Sequence, residues 1–531
     1  MSSSNKTLVG NHNSSSRGML AIIWLLILYG VSLLVFFAEF REEDSFAYFV
    51  TVLVGIGFAP VIGYQYLRGG RWKDKILMHP PLQISAWIIV MFVVPGIVGF
   101  YDRTILEEFK NIWRTQLVIM NVDHVKGISI VSQGFLLMWI GYIIGLSFIE
   151  RHNNRDEMLG KTSTLNSISH TFSQQVVMIF YLTLISIAII DVSIRGVSFG
   201  SDNSLYGYFS FFIGTVSALS RARLIFLMIL IYNLRKGKGK SVTILFLCVE
   251  VLYAFIEGYT KPLLWIIIMC GFTLYLSGVK FRQHTILAII SSILLGVFMV
   301  PISQKLRVYI LSETIDVRSV KDLITSLFDA YDDTWGEGFD IGWDVFAKKM
   351  VNRQVLVSYM PGVVFSKTPS VMPYEGFSRF FEIPRYLIPT FIWQDKPDYA
   401  RGVWFSHFYL GIDFTLFTSS ALTVYGENYM YAGIFGVAFG QFLFGFILSL
   451  IFVRFRYYGF GVLLVLLIPI YIDIESQYST MVPNLLRFAI LYSIVHALAL
   501  TLSNSGNKSR RLLPKHYSTG QRVSGIINGD I

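Results

Sequence analysis

Apolar residues in this chain come in runs rather than in stripes. From residue 19 onward, stretches near twenty residues long and almost free of charge alternate with short polar connections. A helix needs about 20 consecutive apolar residues to cross the hydrocarbon core of a bilayer, and somewhat fewer inside a tight hairpin. The pattern predicts twelve such spans, at 19–38, 46–67, 82–101, 128–149, 176–194, 208–234, 242–257, 263–279, 285–302, 432–453, 460–472 and 485–502. The fold class is therefore an all-α polytopic integral membrane protein, with one large extracytoplasmic loop subdomain between the ninth and tenth spans. The first run exceeds the apolar core of a secretory signal, about 7–15 residues, and lacks a small-x-small cleavage site, so it reads as a retained anchor.

The connection at 303–430 breaks the rhythm. It opens on an amphipathic stretch whose Val320, Leu323, Leu327 and Tyr331 recur at helical spacing, and a second, less regular segment runs over 343–357. Neither is long or apolar enough to span, so both are expected as interfacial or loop-domain helices. Beyond Met360 prolines and glycines multiply. The expected organisation is a cytoplasmic tail at 1–18, a bundle of nine spans over 19–302, the loop subdomain at 303–430, three spans over 431–502 and a basic cytoplasmic tail at 503–531.

Composition agrees with the pattern: 54% of residues are hydrophobic, only 15% are charged, and the mean hydropathy is +0.57. That overrides the several soluble domains a length of 531 residues would suggest. The net charge of +10 does not point to nucleic acid, because the basic residues sit between apolar runs, where they act as topology signals. With the N-terminus inside, 22 of the 44 lysines and arginines fall on the cytoplasmic side and 7 in short outer connections. Both termini are thus expected in the cytoplasm. The two cysteines, Cys248 and Cys270, lie inside spans and suggest neither a disulfide framework nor a metal site. No metal or other cofactor is expected.

Charges inside spans are expensive and need a partner or a polar cavity. Arg221 and Arg223 fall in the sixth span and Glu250 in the seventh, at similar depth. Residues two apart on a helix point in nearly opposite directions, so only one arginine can face Glu250. A structural ion pair and a functional site are both open. Further cations gather toward the outer surface: Lys261, Arg385, Lys396, Arg401 and Arg487. Singly each reads as a snorkelling side chain; converging, they would suit an anion, because guanidinium forks match phosphate oxygens. Trp335, Trp343, Trp393 and Trp404 offer flat amphipathic rings to a sugar or, equally, to a membrane interface. For a general base the outer candidates are His407, Glu427, Asp398 and Asp413. Gly436 and Gly440 form a GxxxG that suits close helix approach.

The stretch from Pro384 to Gly445 resembles the C-terminal part of the bacterial O-antigen and exopolysaccharide repeat-unit polymerases, the Wzy-type family. Carrying the likeness are Pro384-Arg385, Pro389, Trp393-Gln394-Asp395-Lys396-Pro397, Gly402, Phe405, Ser419-Ser420, Gly426-Glu427-Asn428-Tyr429 and the run Gly433 to Gly436. Gly258 to Trp265 is a second, weaker match. The resemblance implies a glycosyltransferase of the inner membrane. It would move a growing glycan from polyprenyl pyrophosphate onto an incoming lipid-linked oligosaccharide repeat unit at the outer face. It implies no nucleotide sugar and no required metal, and it brings a flippase and a chain-length regulator of the same pathway as partners. Glu427, Arg401 and His407 would be catalytic; Arg221, Arg223, Lys261, Arg385, Lys396, Arg487 and Trp393 would bind substrate.

Two alternatives stay open. A glycosyltransferase using a polyprenyl-phosphate sugar would place paired carboxylates in the first outer connection, where Glu42, Glu43 and Asp44 lie. A transporter or flippase of lipid-linked sugars would show repeated halves and broken helices, neither of which the sequence displays.

Overall fold

A computed structural model of the chain describes residues 5–69, 79–113, 120–152, 174–198, 223–235, 240–256, 328–333, 339–388, 401–414, 420–456 and 476–512, with the single residues 266, 270, 273, 302, 325 and 393. Among them every regular element is helical and no strand occurs. In chain order the helices are α1 (Asn5–Phe37), α2 (Ser45–Gly69), α3 (Pro80–Ile88), α4 (Val94–Tyr101), α5 (Thr104–Trp113), α6 (Asn121–His152) and α7 (Gln174–Ser198). There follow α8 (Arg223–Arg235), α9 (Lys240–Ile256), α10 (Phe339–Lys367), α11 (Arg379–Glu382), α12 (Gly402–Phe408), α13 (Val424–Arg456) and α14 (Tyr478–Leu512). A π turn, Ile89–Val93, joins α3 to α4 just ahead of Pro95, whose ring nitrogen has no hydrogen to donate.

Among the described residues, five stretches are long and apolar enough to cross a membrane: Ser16–Phe37, Glu42–Arg68, Pro80–Tyr101, Asn121–Ile149 and Val424–Val453. Shorter apolar helices are Gln175–Ile189, Arg223–Asn233 and Ser241–Tyr253. The eighth, ninth and eleventh expected spans lie almost entirely outside the described residues. The helices also overrun their apolar cores: α1 starts within the polar tail at Asn5, and α14 continues past residue 502 to Leu512.

Helix α6 is the hub. It packs against α1, α2, α10 and α13, and it is buried nearly all round. Glycines let it do so. A Cβ on Gly141 would strike the Phe442 carbonyl oxygen, one on Gly145 the Ser449 hydroxyl, and one on Gly134 would lie 2.6 Å from the Tyr425 ring. Small residues at such positions let backbones meet where lipid supplies no hydrophobic drive. The Gly134 position also faces the Gln441 side chain, 3.0 Å from where a Cβ would stand, so the partners Gln441, Phe442 and Ser449 rise with Gly134, Gly141 and Gly145, and α6 runs parallel to the long part of α13.

Polar groups pin one end of this bundle. The Glu42 carboxylate accepts the Asn121 N–H at 2.7 Å and the Val122 N–H at 3.2 Å, capping α6. Lys126 donates to the carbonyl oxygens of Val35, at 3.2 Å, and of Phe36 and Ala38, closing the far end of α1. The hydrophobic run suggests that Lys126 precedes the fourth span. Instead it lies inside α6, buried, because three orphan carbonyls compensate for its desolvation. Lys126→Met is expected to lower stability by about 1–3 kcal/mol through those unmet carbonyls, read as a drop in melting temperature in detergent. Lys126→Arg should recover part of it.

Helix α10 is longer than its sequence suggests. It runs through Pro361 to Lys367, because tertiary contacts outweigh the breaker residues. A Cβ on Gly127 would strike the Gly362 backbone, and the Tyr359 hydroxyl donates to the Gly99 carbonyl at 2.7 Å. The C-terminal half of α10 is thereby packed against α4 and α6.

Candidate functional site

Helix α13 carries the expected tenth span, 432–453, but is broken where that span begins. Backbone angles leave the helical region at Ala432 and Gly433, and Gly433 adopts φ 61°, ψ −142°. Val424 to Tyr431 form a short helix that folds back onto the longer one beyond. A Cβ on Gly436 would strike the Asn428 carbonyl oxygen, and one on Gly440 would lie 2.5 Å from the Asn428 amide nitrogen. The GxxxG therefore admits a buried asparagine from the same element. Thr423 opens the short helix with its hydroxyl accepting the Gly426 N–H at 3.1 Å, an N-cap.

A break frees carbonyls, and a chain segment 55 residues earlier takes them up. The Glu375 N–H bonds the Met430 carbonyl at 3.0 Å and the Gly376 N–H bonds that of Tyr431 at 2.9 Å. Carbonyls freed in a buried break need partners, and the protein itself supplies them here. The segment that does so begins an alternating ion-pair chain. Arg401 Nη1 meets Glu375 Oε1, Arg379 Nε lies 3.3 Å from Glu375 Oε2, and Arg379 Nη1 lies 2.7 Å from Glu382 Oε2. The bond to Glu382 raises the Arg379 pKa above its ordinary value. Arg401 is held further by its own N–H on Gln477 Oε1 at 2.9 Å and by stacking of its guanidinium on Trp404 at 4.1 Å.

Glu427 sits beside this chain at 0% exposure. Its carboxylate accepts the Ser479 N–H at 2.9 Å, the Ser479 hydroxyl at 2.7 Å and the Tyr431 hydroxyl at 2.6 Å. Three donors from two elements consume most of its acceptor capacity. The group can hold α13 to α14 and aim Ser479 and Tyr431; it has no open face to a substrate. His407 Nδ1 lies 2.9 Å from the Ile412 carbonyl oxygen, and its ring stacks on Phe414. A carbonyl only accepts, so Nδ1 donates here, and the tautomer with its hydrogen on Nδ1 has its lone pair on Nε2. Arg401 and His407 stand at opposite ends of α12, about 9 Å of helical rise apart. Nearby, burial lowers the pKa of Lys367, whose ammonium reaches the Phe408 carbonyl at 3.5 Å.

The other expected positions divide. Arg487 joins the same neighbourhood by donating to the Tyr386 carbonyl, and Arg385 is exposed one residue away from that tyrosine. Burial first, then the Glu382 carboxylate, raises the Tyr386 phenol, which stays neutral. Trp393 is half-buried. Arg223 belongs elsewhere: its Nε bonds Glu250 at 2.8 Å, with the Tyr181 hydroxyl on the same oxygen at 3.0 Å and the Tyr253 ring at 4.2 Å. This pair ties α8 to α9. Arg221, Lys261 and Lys396 lie outside the described residues, as does Asp398; Asp413 is exposed. Of the carboxylates in the first connection, Glu42 caps α6 and Glu43 meets Arg41 at 3.7 Å on the surface.

Removing one member of the Arg223–Glu250 pair should cost about 3–5 kcal/mol, since the other is left buried and uncompensated, whereas the double replacement Arg223→Met/Glu250→Leu should recover most of it. A double-mutant cycle on melting temperature measures this.

Glu375, Arg379, Gln477 and Ser479 escape a reading of the sequence. Glu375, Arg379 and Glu382 do carry a signal, opposite charges four and three residues apart. Gln477 and Ser479 carry none.

A protein-family model described as "Domain of unknown function (DUF8712)" matches residues 72–473, and the chain belongs to that family. No curated protein and no solved structure matches the chain.

Proposed function

We propose that this DUF8712 chain is a lipid-linked glycan polymerase, transferring a growing glycan from polyprenyl pyrophosphate to an incoming lipid-linked repeat unit. The observation that carries the reading is the pairing of Arg401 and Arg379 across Glu375, with exposed phenylalanines on the segment that carries Arg379. Phe381 is 68% exposed, its ring 6.2 Å from that of Phe377, which packs on Phe439 at 4.7 Å. Paired guanidinium groups beside exposed aromatic surface suit an amphipathic anion, diphosphate on the arginines and isoprenoid on the rings.

In the transfer, the bond between the anomeric carbon and the diphosphate oxygen breaks. The acceptor hydroxyl oxygen bonds that carbon, and its proton passes to a base. Arg401, with Arg379 across Glu375, stabilises the charge that builds on the departing diphosphate, and Arg385 and Arg487, beside Tyr386, bind the substrate further along. His407 Nε2 is the base for the acceptor hydroxyl. Glu427 positions Ser479 and Tyr431. Arg223 falls outside this mechanism.

The topology belongs to the same proposal: twelve crossings of the bacterial inner membrane, both termini cytoplasmic, and residues 303–430 an outer subdomain. Parallel α6 and α13 support it, since an odd number of crossings must then separate them, and five are placed there. Incubating the purified protein with lipid-linked oligosaccharide should yield a ladder of elongated products on a gel; movement of substrate across proteoliposomes with no ladder would sink the reading. That outcome would favour the second reading, a lipid-linked sugar transporter, for which the broken α13 speaks. The helix-capping role of Glu42 speaks against metal-assisted transfer from a polyprenyl-phosphate sugar.

A further inference from the structure

We propose that Glu375 occupies the anion site in the resting protein and must swing away for a diphosphate to bind, making it a gate that sets affinity and selectivity. The inference rests on the proposed binding of a diphosphate at Arg401. It deepens that reading by naming the group that competes with the ligand.

Both oxygens of Glu375 face guanidinium groups: Oε1 accepts a hydrogen bond from Arg401 Nη1, while Oε2 lies 3.3 Å from Arg379 Nε as an ion-pair contact without a hydrogen bond. A carboxylate bridging two arginines presents the same charge and fork geometry that a phosphoryl group would present. The site is sheltered but not sealed, with the Glu375 side chain 14% exposed and that of Arg401 22%. The Arg379 side chain is 43% exposed, so an incoming anion can touch it directly, but it can hold both guanidinium groups at once only by replacing this carboxylate.

The structure separates the gate from its hinge. The Glu375 and Gly376 N–H groups are fixed on the Met430 and Tyr431 carbonyls at the helix break. The carboxylate can leave by rotation of its own side chain while the backbone stays. The cations stay too: Arg379 retains Glu382 at 2.7 Å, and Arg401 retains the Trp404 ring and the Gln477 bond to its backbone. Departure of Glu375 thus opens two preorganised guanidinium groups without disturbing the elements that carry them. A monoanion recovers little of the lost pairing, whereas a diphosphate offers enough oxygens to span both arginines, so the gate favours the multivalent ligand.

The test measures binding of inorganic pyrophosphate and of inorganic phosphate to the full-length protein in phosphatidylcholine nanodiscs, by calorimetry. Glu375→Gln should bind pyrophosphate at least tenfold tighter than wild type, with a smaller gain for phosphate. Glu375→Asp keeps the charge but shortens the reach, so it should give a smaller tightening and serves if the glutamine variant fails to fold. Equal or weaker pyrophosphate binding by a folded Glu375 variant overturns the gate, even if wild type elongates glycans and that reading stands. Tighter binding without any elongation by wild type keeps the gate and removes the polymerase. Nanodiscs with added phosphatidylglycerol form the last arm. If that lipid abolishes the gain in the Glu375 variants, the site belongs to bulk headgroups and the diphosphate assignment falls.

Discussion

Arg401→Gln should lower glycan elongation on a lipid-linked acceptor by about 10²–10³-fold, the usual consequence of removing one preorganised donor from a developing oxyanion. The loss should fall on turnover more than on acceptor binding, because the charge on a leaving diphosphate is greatest in the transition state. Arg401→Lys keeps the charge but not the planar fork that meets Glu375 and stacks on Trp404 at 4.1 Å. It should recover only part of the activity. The folded state should survive both changes, since the side chain is partly exposed and its backbone N–H on Gln477 is untouched. A gel ladder quantified over time, with melting temperature as the companion measurement, decides it. Unchanged elongation in a folded Arg401→Gln protein would remove Arg401 from the mechanism.

Gly433→Ala is the second large effect. The glycine holds φ 61° and ψ −142°, close to a region that only glycine populates readily, at a strain of about 1–3 kcal/mol for any other residue. A Cβ there would also stand 2.9 Å from the Tyr374 hydroxyl, next to the segment whose N–H groups satisfy the break. Relaxing the strain means shifting Tyr431, and with it the hydroxyl that Glu427 accepts at 2.6 Å. Lower thermal stability and loss of elongation are both expected. The neighbouring Ala432→Gly is the control. It relieves rather than adds backbone restriction at the same break, so stability should change by no more than about 1 kcal/mol. Equal behaviour of the two variants would show that the break carries no function.

How far the sequence reaches can be judged from particular elements. The helices over 46–67, 82–101 and 128–149 lie where the apolar runs put them, because transfer into hydrocarbon is close to additive residue by residue. The pairing of one arginine with Glu250 was equally legible, since a buried charge in a span demands a partner and Arg223 lies on the adjacent apolar helix. The break at Gly433 was not. Apolar residues flank it on both sides, and three glycines in one run look the same whether they seat a neighbouring helix or let the chain turn. Glu427 was visible as a carboxylate at the edge of a span, but its three donors were not, because Ser479 lies 52 residues away in the sequence.

The sequence by itself determined that this is a helical protein built to lie in a membrane, and which of its charges needed partners. Only the tertiary structure decided which partners they found: Lys126 on the end of α1, Glu42 on the start of α6, Glu375 between two arginines, Glu427 between two helices. Hydropathy is a sum over local residues, whereas each of these contacts joins segments tens of residues apart, and their proximity depends on how glycines let the helices close.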